Sequence, residues 1–228
     1  MQSFRLDLDA TTDAPTGTHR SADSPAVLEV DTPHGSARVH VHGIEQPRGW
    51  LVLGHGAGGG VTSRDLEAAA EAAQEARLGV ALVEQPYRVA GRRNAAPADQ
   101  LDASWLGVVN ALRTGTFGGA PLVAGGRSSG ARVACRTAEA AGAVAVLCLA
   151  FPLAPPRRAG GKPPVSRLPE LDAGRVPSLV VQGERDPFGI PPASAARTVL
   201  VVSGDHSLRS DLPAVRAAVH DWLYLVVP

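Results

Sequence analysis

Ser128 lies in Gly126-Arg127-Ser128-Ser129-Gly130, between the apolar run Leu122-Val123-Ala124 and the Ala/Val-rich stretch Ala131-Arg132-Val133-Ala134. A serine hydroxyl is a weak nucleophile until a base takes its proton. A glycine-flanked serine between a buried strand and a helix start is the setting that exposes one for that chemistry. Gly126 and Gly130 lack a Cβ, so the chain can turn sharply and helix can pack on strand around a serine held in a strained conformation.

Nucleophilic chemistry at Ser128 needs three further parts, each expected at the end of a strand. The first is a pair of donors for the negative oxygen of a tetrahedral intermediate. The apolar run Trp50 to Leu53 leads into Gly54-His55-Gly56-Ala57-Gly58-Gly59-Gly60, whose small residues let backbone N–H groups approach a ligand. Acyl-transfer sites of this kind take one donor from such a loop and the other from the residue after the nucleophile, which points to Ala57 and Ser129. A phosphate cradle is the competing reading of a glycine loop, but neither the dinucleotide pattern nor a P-loop lysine is present.

The second part is an acid. In Leu179-Val180-Val181-Gln182-Gly183-Glu184-Arg185-Asp186-Pro187, Asp186 follows an apolar run; Glu184 competes with it, and a solvated turn aspartate is the plain alternative. The shorter side chain, with Pro187 fixing the backbone just after it, favours Asp186. The third part is a base. His206, in Gly204-Asp205-His206-Ser207-Leu208, comes after the last apolar run. His40 and His42 lie on a strand, His19 and His34 in polar segments and His220 in the closing helix, while His55 reads as a structural hydrogen-bonder. The order Ser128, Asp186, His206 is that of one serine scaffold and not of the others.

The elements that must position these groups can be read from apolar periodicity. Ala26–Asp31 and Ala37–His42 alternate like a hairpin across Thr32-Pro33-His34-Gly35. Continuous apolar strands are expected at 49–53, 79–83, 121–124, 143–149, 176–181 and 198–202, and helices at 66–77, 99–112, 129–141 and 211–227. Strand–helix alternation implies right-handed crossovers and a mainly parallel sheet covered on both faces, with the chemistry at the carboxyl ends of its strands. The interval from Phe151 to Arg175 carries six prolines and no clear periodicity, which predicts a flap over the site, too short for a multi-helix cap.

Bulk properties fit one α/β domain over 26–228, preceded by a flexible segment over 1–25 that holds at most a short edge strand at 3–9. The 228 residues balance 22 Lys and Arg against 22 Asp and Glu, so nothing points to nucleic acid or an anionic membrane. No window approaches the roughly 18 to 20 apolar residues of a membrane span, and the polar N-terminus is no signal peptide. Cys135 and Cys148 have no metal-binding spacing and read as buried free thiols, so a reduced, cytoplasmic compartment is expected.

The chain resembles the α/β-hydrolase superfamily, and more narrowly the small dienelactone-hydrolase-like proteins related to Tex30 and to the hydrolase-like part of KAT8 regulatory NSL complex subunit 3. The resemblance is carried by His55 to Gly60, Gln85-Pro86-Tyr87 with Gly91-Arg92-Arg93, Gly125 to Ala134, Phe151-Pro152-Leu153, Gln182 to Gly189 and Gly204 to Leu208. It spans most of the chain from about Trp50 onward. Members often carry Lys and Met around the nucleophile, where this chain has Arg127 and Ser129. The resemblance implies an α/β-hydrolase fold with a mainly parallel sheet, antiparallel N-terminal strands and no large cap, and it transfers the triad to Ser128, Asp186 and His206.

The expected activity is that of a serine esterase or thioesterase acting on a small soluble substrate, without cofactor or metal. A substrate pocket is expected around Gly56, Tyr87, Arg127 and Phe151, with Arg88 and Arg92 near its mouth. Such a rim would suit an acyl group bearing a carboxylate, or would simply be solvated arginine. A homodimer is left open. The alternative function is a catalytically silent hydrolase-like fold used as a protein-interaction module.

Overall fold

A computed structural model describes residues 25–156, 160–161 and 163–228. The expected edge strand at 3–9 and nearly all of the N-terminal segment lie outside them. Eight strands form one sheet: β1 (Ala26–Thr32), β2 (Gly35–His42), β3 (Gly49–Gly54), β4 (Leu78–Glu84), β5 (Leu122–Arg127), β6 (Ala145–Leu149), β7 (Ser178–Gly183) and β8 (Arg197–Val202). Their spatial order is β1-β2-β4-β3-β5-β6-β7-β8. β1 and β2 pair antiparallel to their neighbours, and every other pairing is parallel.

Burial explains that division. β3, β6 and β7 are buried along their whole length, as continuous apolar strands covered on both faces must be. β2 instead alternates: Ala37, Val39 and Val41 point into the core while Arg38 and His40 turn towards Glu84.

Six helices complete the layers: α1 (Arg64–Glu75), α2 (Pro86–Val89), α3 (Ala98–Gly115), α4 (Ser129–Thr137), α5 (Leu168–Asp172) and α6 (Leu212–Val226). α1 and α6 pack together on one face, burying Leu66, Ala69 and Ala73 with Val215, Val219 and Leu223 against Leu51, Leu53 and Leu147. Those residues recur at intervals of three and four, the spacing of one helix face. Asp211 caps α6 by accepting from the Ala214 N–H. α3 and α4 cover the other face, where Trp105, Val108, Leu112 and Val133 meet Trp50, Val52 and Ala124.

Two short helices are not legible in the sequence. α2 begins in Gln85-Pro86-Tyr87 and is too short to show a period. α5 lies inside the predicted flap, so the described part of that segment is partly folded onto α4. Between β6 and β7 the described residues hold α5 alone, so no cap domain is built there.

Chain order reverses around β3: the connection from β3 places β4 on one side of it, and the next crossover places β5 on the other. Adjacent loops leave such a switch point in opposite directions and open a crevice beyond the strand ends. The glycine loop after β3 and the serine turn after β5 both sit at that crevice.

Candidate active site

Ser128 occupies the turn between β5 and α4 with φ +52° and ψ −108°, a conformation that costs a non-glycine residue of order 1–3 kcal/mol. Its N–H is held by the Leu149 carbonyl at 2.9 Å, which ties the turn to β6. The glycine at 130 is dictated by a close approach. A Cβ there would fall on the Gly54 carbonyl and lie 2.9 Å from that of His55, so the loop after β3 can lean on the start of α4 only if position 130 is bare. Gly130→Ala is therefore expected to cost about 3 kcal/mol, the upper part of the overpacking range. For a domain of this size that is a fall in Tm of roughly 6–12 °C. A thermal melt within 2 °C of wild type would show instead that the loop can retreat freely.

Asp186 ends the turn after β7, its side chain fully buried. Oδ1 accepts from the Phe188 N–H at 2.9 Å, while Oδ2 accepts from Gln182 Nε2 at 2.7 Å and lies 2.7 Å from His206 Nδ1. Glu184, the competing carboxylate, is exposed and pairs with neighbouring Arg185. On the loop after β8, His206 sets Nε2 3.0 Å from Ser128 Oγ. With Nδ1 donating to the carboxylate, Nε2 presents its lone pair to the serine hydroxyl. The Phe188 ring lies 4.5 Å from the imidazole and covers it. Gly183 permits this proximity, since a Cβ at that position would collide with the Asp205 carbonyl beside His206. Three residues far apart in sequence thus form one hydrogen-bonded line.

Ala57 and Ser129 border the same cleft as Ser128, a space of about 290 Å³. Neither backbone N–H is taken by an acceptor among the described residues. Ser129 is also the first residue of α4, where helix N–H groups have no partner within the helix. Tyr87 holds the loop in place by donating its hydroxyl to the Ala57 carbonyl at 3.0 Å.

Of the four expected pocket residues, none lines this cleft. Phe151 is fully buried in the core, because it sits where β6 runs under the helical layer. Tyr87 is buried as a loop support. Gly56 faces Arg127, leaving room for its guanidinium: a Cβ at 56 would be 2.6 Å from Nη1. Arg127 points away from the cleft, with Nε 3.0 Å from Asp65 Oδ2 and Nη2 donating to the His206 carbonyl at 3.1 Å. The approach to Oδ2 lies outside hydrogen-bond geometry, so that oxygen has its charge balanced without a directed bond. Arg127 is a strut between α1, the glycine loop and the histidine loop.

The cleft is instead walled by Pro152, Phe188 and Leu101, with Arg132, Arg136 and Arg167 at its polar side. Arg132 and Arg136 are one turn apart on α4, a pairing that the spacing of four could have disclosed. Gln182 adjoins this cluster through its bond to Asp186, although in the sequence it is only one residue of a motif. Its signal is an amide at the end of an otherwise apolar buried strand, where a polar side chain must find partners. A larger groove of about 950 Å³ between α1 and α6 contains none of these groups and lies on the opposite layer.

His55 is buried and receives the Gln85 N–H on Nε2 at 3.1 Å, so Nδ1 carries the proton and donates to the Gly56 carbonyl at 2.8 Å. Burial pushes the imidazole below its ordinary value, assisted by Arg88 and opposed by the Gly56 bond and Glu84. The unfolded chain binds the proton more tightly, so stability rises with pH between the depressed folded value and the unfolded value of about 6.5. This contribution is complete above that range and is lost as pH falls through it. The urea midpoint should drop between pH 7.5 and 5.5, and less steeply in His55→Gln; equal slopes would remove His55 as the cause.

A family model described as an alpha/beta hydrolase domain matches residues 47–214. The chain belongs to this family. Among solved structures, this α/β-hydrolase chain is similar to XC6422 from Xanthomonas campestris, described as an a/b serine hydrolase without lid. Their identity is 20%, their TM-score 0.70, and the match covers 90% of this chain and 96% of that one. A dienelactone hydrolase from Anabaena variabilis matches at 16% identity and TM-score 0.70, covering 90% and 98%. Est1E from Butyrivibrio proteoclasticus matches at 14% identity and TM-score 0.68, covering 88% and 98%. No curated protein matches the sequence. Among the described residues, no helix is long and apolar enough to cross a membrane.

Proposed function

We propose that this chain is a serine hydrolase that cleaves an ester or thioester of a small soluble substrate through an acyl-enzyme. The observation that carries the reading is the continuous contact from Ser128 Oγ to His206 Nε2 at 3.0 Å and from His206 Nδ1 to Asp186 Oδ2 at 2.7 Å. Ser128 Oγ attacks the carbonyl carbon while His206 Nε2 takes its proton, and Asp186 holds the imidazole in the tautomer that can do so. The electron pair of the carbonyl moves onto oxygen, which the Ala57 and Ser129 N–H groups receive. Each such donor contributes about 2.7–4 kcal/mol to the transition state. Collapse expels the alcohol or thiol, which collects the proton from His206; water then repeats the sequence and releases the acid and free Ser128.

A cleft of about 290 Å³ bordered by Ala57, Leu101 and Phe188 suits a compact acyl group better than a long chain. Est1E has been solved with ferulic acid bound, which agrees with a modest acyl site. The narrower kinship to the Tex30 group rests on the motifs from His55 to Leu208 and adds no substrate. The test is labelling of the full chain by a fluorophosphonate, with the adduct mapped by peptide mass, and then hydrolysis of nitrophenyl esters of graded acyl length. Adduct on Ser128 and turnover of short esters are expected. A chain that takes no label and turns over no ester would be an interaction module instead.

A further inference from the structure

Among the described residues, every charged side chain that lines the cleft is cationic. Arg132, Arg136 and Arg167 line it beside Ser128, and no carboxylate does. Two acids stand behind them. Glu170 is gripped by Arg132 through Nε at 2.8 Å and Nη2 at 2.7 Å, and by Arg136 Nη1 at 2.7 Å. Asp102 accepts from the other two nitrogens of Arg136, Nε at 2.8 Å and Nη2 at 2.6 Å. This network fastens α5 and α3 to α4, which accounts structurally for Arg132 and Arg136. It does not account for Arg167, whose side chain donates only to the Pro152 carbonyl, at 2.9 Å from Nη1, among the described residues.

Among the described residues, three guanidiniums therefore stand against two carboxylates, both already bonded to Arg132 and Arg136, which leaves one positive charge in excess at the cleft. Among the described residues, the nitrogens with no acceptor are Nε and Nη2 of Arg167 and Nη1 of Arg132. Burial and the neighbouring Arg132 charge push the Arg167 guanidinium down from its ordinary value, opposed in part by Glu170. The sequence adds to the imbalance. From Phe151 to Pro169 the chain carries Arg157, Arg158, Lys162 and Arg167 and no acid, in a protein whose charges balance only over the whole chain.

Resting on the hydrolase reading above, we infer that the substrate of this site is an anionic ester, whose carboxylate or phosphate is received by Arg167 and Arg132 while its scissile carbonyl lies at Ser128. Guanidinium forks bind either oxyanion through paired N–H donors, and such charge-assisted bonds are the strong ones. Arg167 thereby sets specificity and takes no part in proton transfer.

The test compares kcat/KM of the full chain for two matched pairs of esters: nitrophenyl pentanoate with the nitrophenyl half-ester of glutaric acid, and phenyl acetate with phenyl acetate carrying a phosphate on its ring, each anionic ester being read against its own neutral ester. At low salt the glutarate half-ester, the phosphate ester or both should exceed the matched neutral ester about tenfold or more, the scale of a charge-assisted hydrogen bond. Which arm shows the gain identifies the anion and the side of the carbonyl it occupies. Added salt should shrink the preference by screening. Arg167→Gln should lower the anionic-to-neutral ratio about tenfold, and Arg167→Lys should restore part of it. A wild-type ratio near one for both anionic esters, or an unchanged ratio in Arg167→Gln, overturns the inference and leaves the hydrolase reading intact. No turnover of any ester, with no label on Ser128, overturns both.

Discussion

Replacing Ser128 by alanine is expected to lower ester turnover by about 10⁶-fold and to abolish fluorophosphonate labelling, the scale seen when a triad serine is removed. The change is unusually clean. Alanine keeps the Cβ, so the φ of +52° costs it what it costs serine and the backbone contact of residue 128 with Leu149 is unaffected. Only Oγ disappears, together with its 3.0 Å contact to His206. Thermal unfolding of the variant should stay close to wild type. Residual activity above the uncatalysed rate would come from the Ala57 and Ser129 donors. Retention of labelling, or a loss below tenfold with the fold intact, would remove Ser128 as nucleophile.

Asp186→Asn should reduce kcat by about 10⁴-fold with little change in KM, because it reverses the histidine tautomer. Both carboxylate oxygens already accept: Oδ1 from the Phe188 N–H, Oδ2 from Gln182 Nε2 and opposite His206 Nδ1. An asparagine has one acceptor oxygen and must turn its NH₂ to one of these sites. At the Oδ2 position that group would face the imidazole, leaving Nδ1 unprotonated and placing the proton on Nε2, where it cannot accept from serine. Turning the oxygen there would instead oppose NH₂ to the Phe188 N–H and leave a buried donor unpaired, a cost of about 1–3 kcal/mol. Steady-state kinetics beside a urea melt separates the outcomes. Loss of less than tenfold in kcat would show that His206 is oriented without Asp186.

Much of the scaffold can be read from local pattern. All eight strands are expected within a few residues of where they form, because continuous apolar runs such as Leu122 to Ala124 can only be buried and the turns between them are marked by glycine and proline. α2 and α5 escape because helices of four and five residues show no period. Register and strand order are also out of reach. β3 enters the sheet between β4 and β5, a placement set by which faces the helices must cover.

The site divides in the same way. Side-chain chemistry and chain order point to Ser128, Asp186 and His206 as candidate nucleophile, acid and base, with Glu184 the competing acid, since each comes after an apolar strand and parallel strands deliver their ends to one edge. The small residues at 130 and 183 are likewise sequence facts, and the tertiary structure supplies their cause in the carbonyls they let approach. The pocket was decided only by the tertiary structure. Phe151 and Tyr87 look like substrate contacts by type, yet both are buried as supports. Arg127 adjoins the serine in sequence but alternation along β5 turns it away, towards Asp65 and the His206 carbonyl. Arg132, Arg136 and Arg167 resemble any surface arginines until α5 folds onto α4 and brings them to one wall. Sequence spacing determines which strand end a residue occupies; the direction of its side chain, and the charges left unpaired beside it, depend on neighbours from distant parts of the chain.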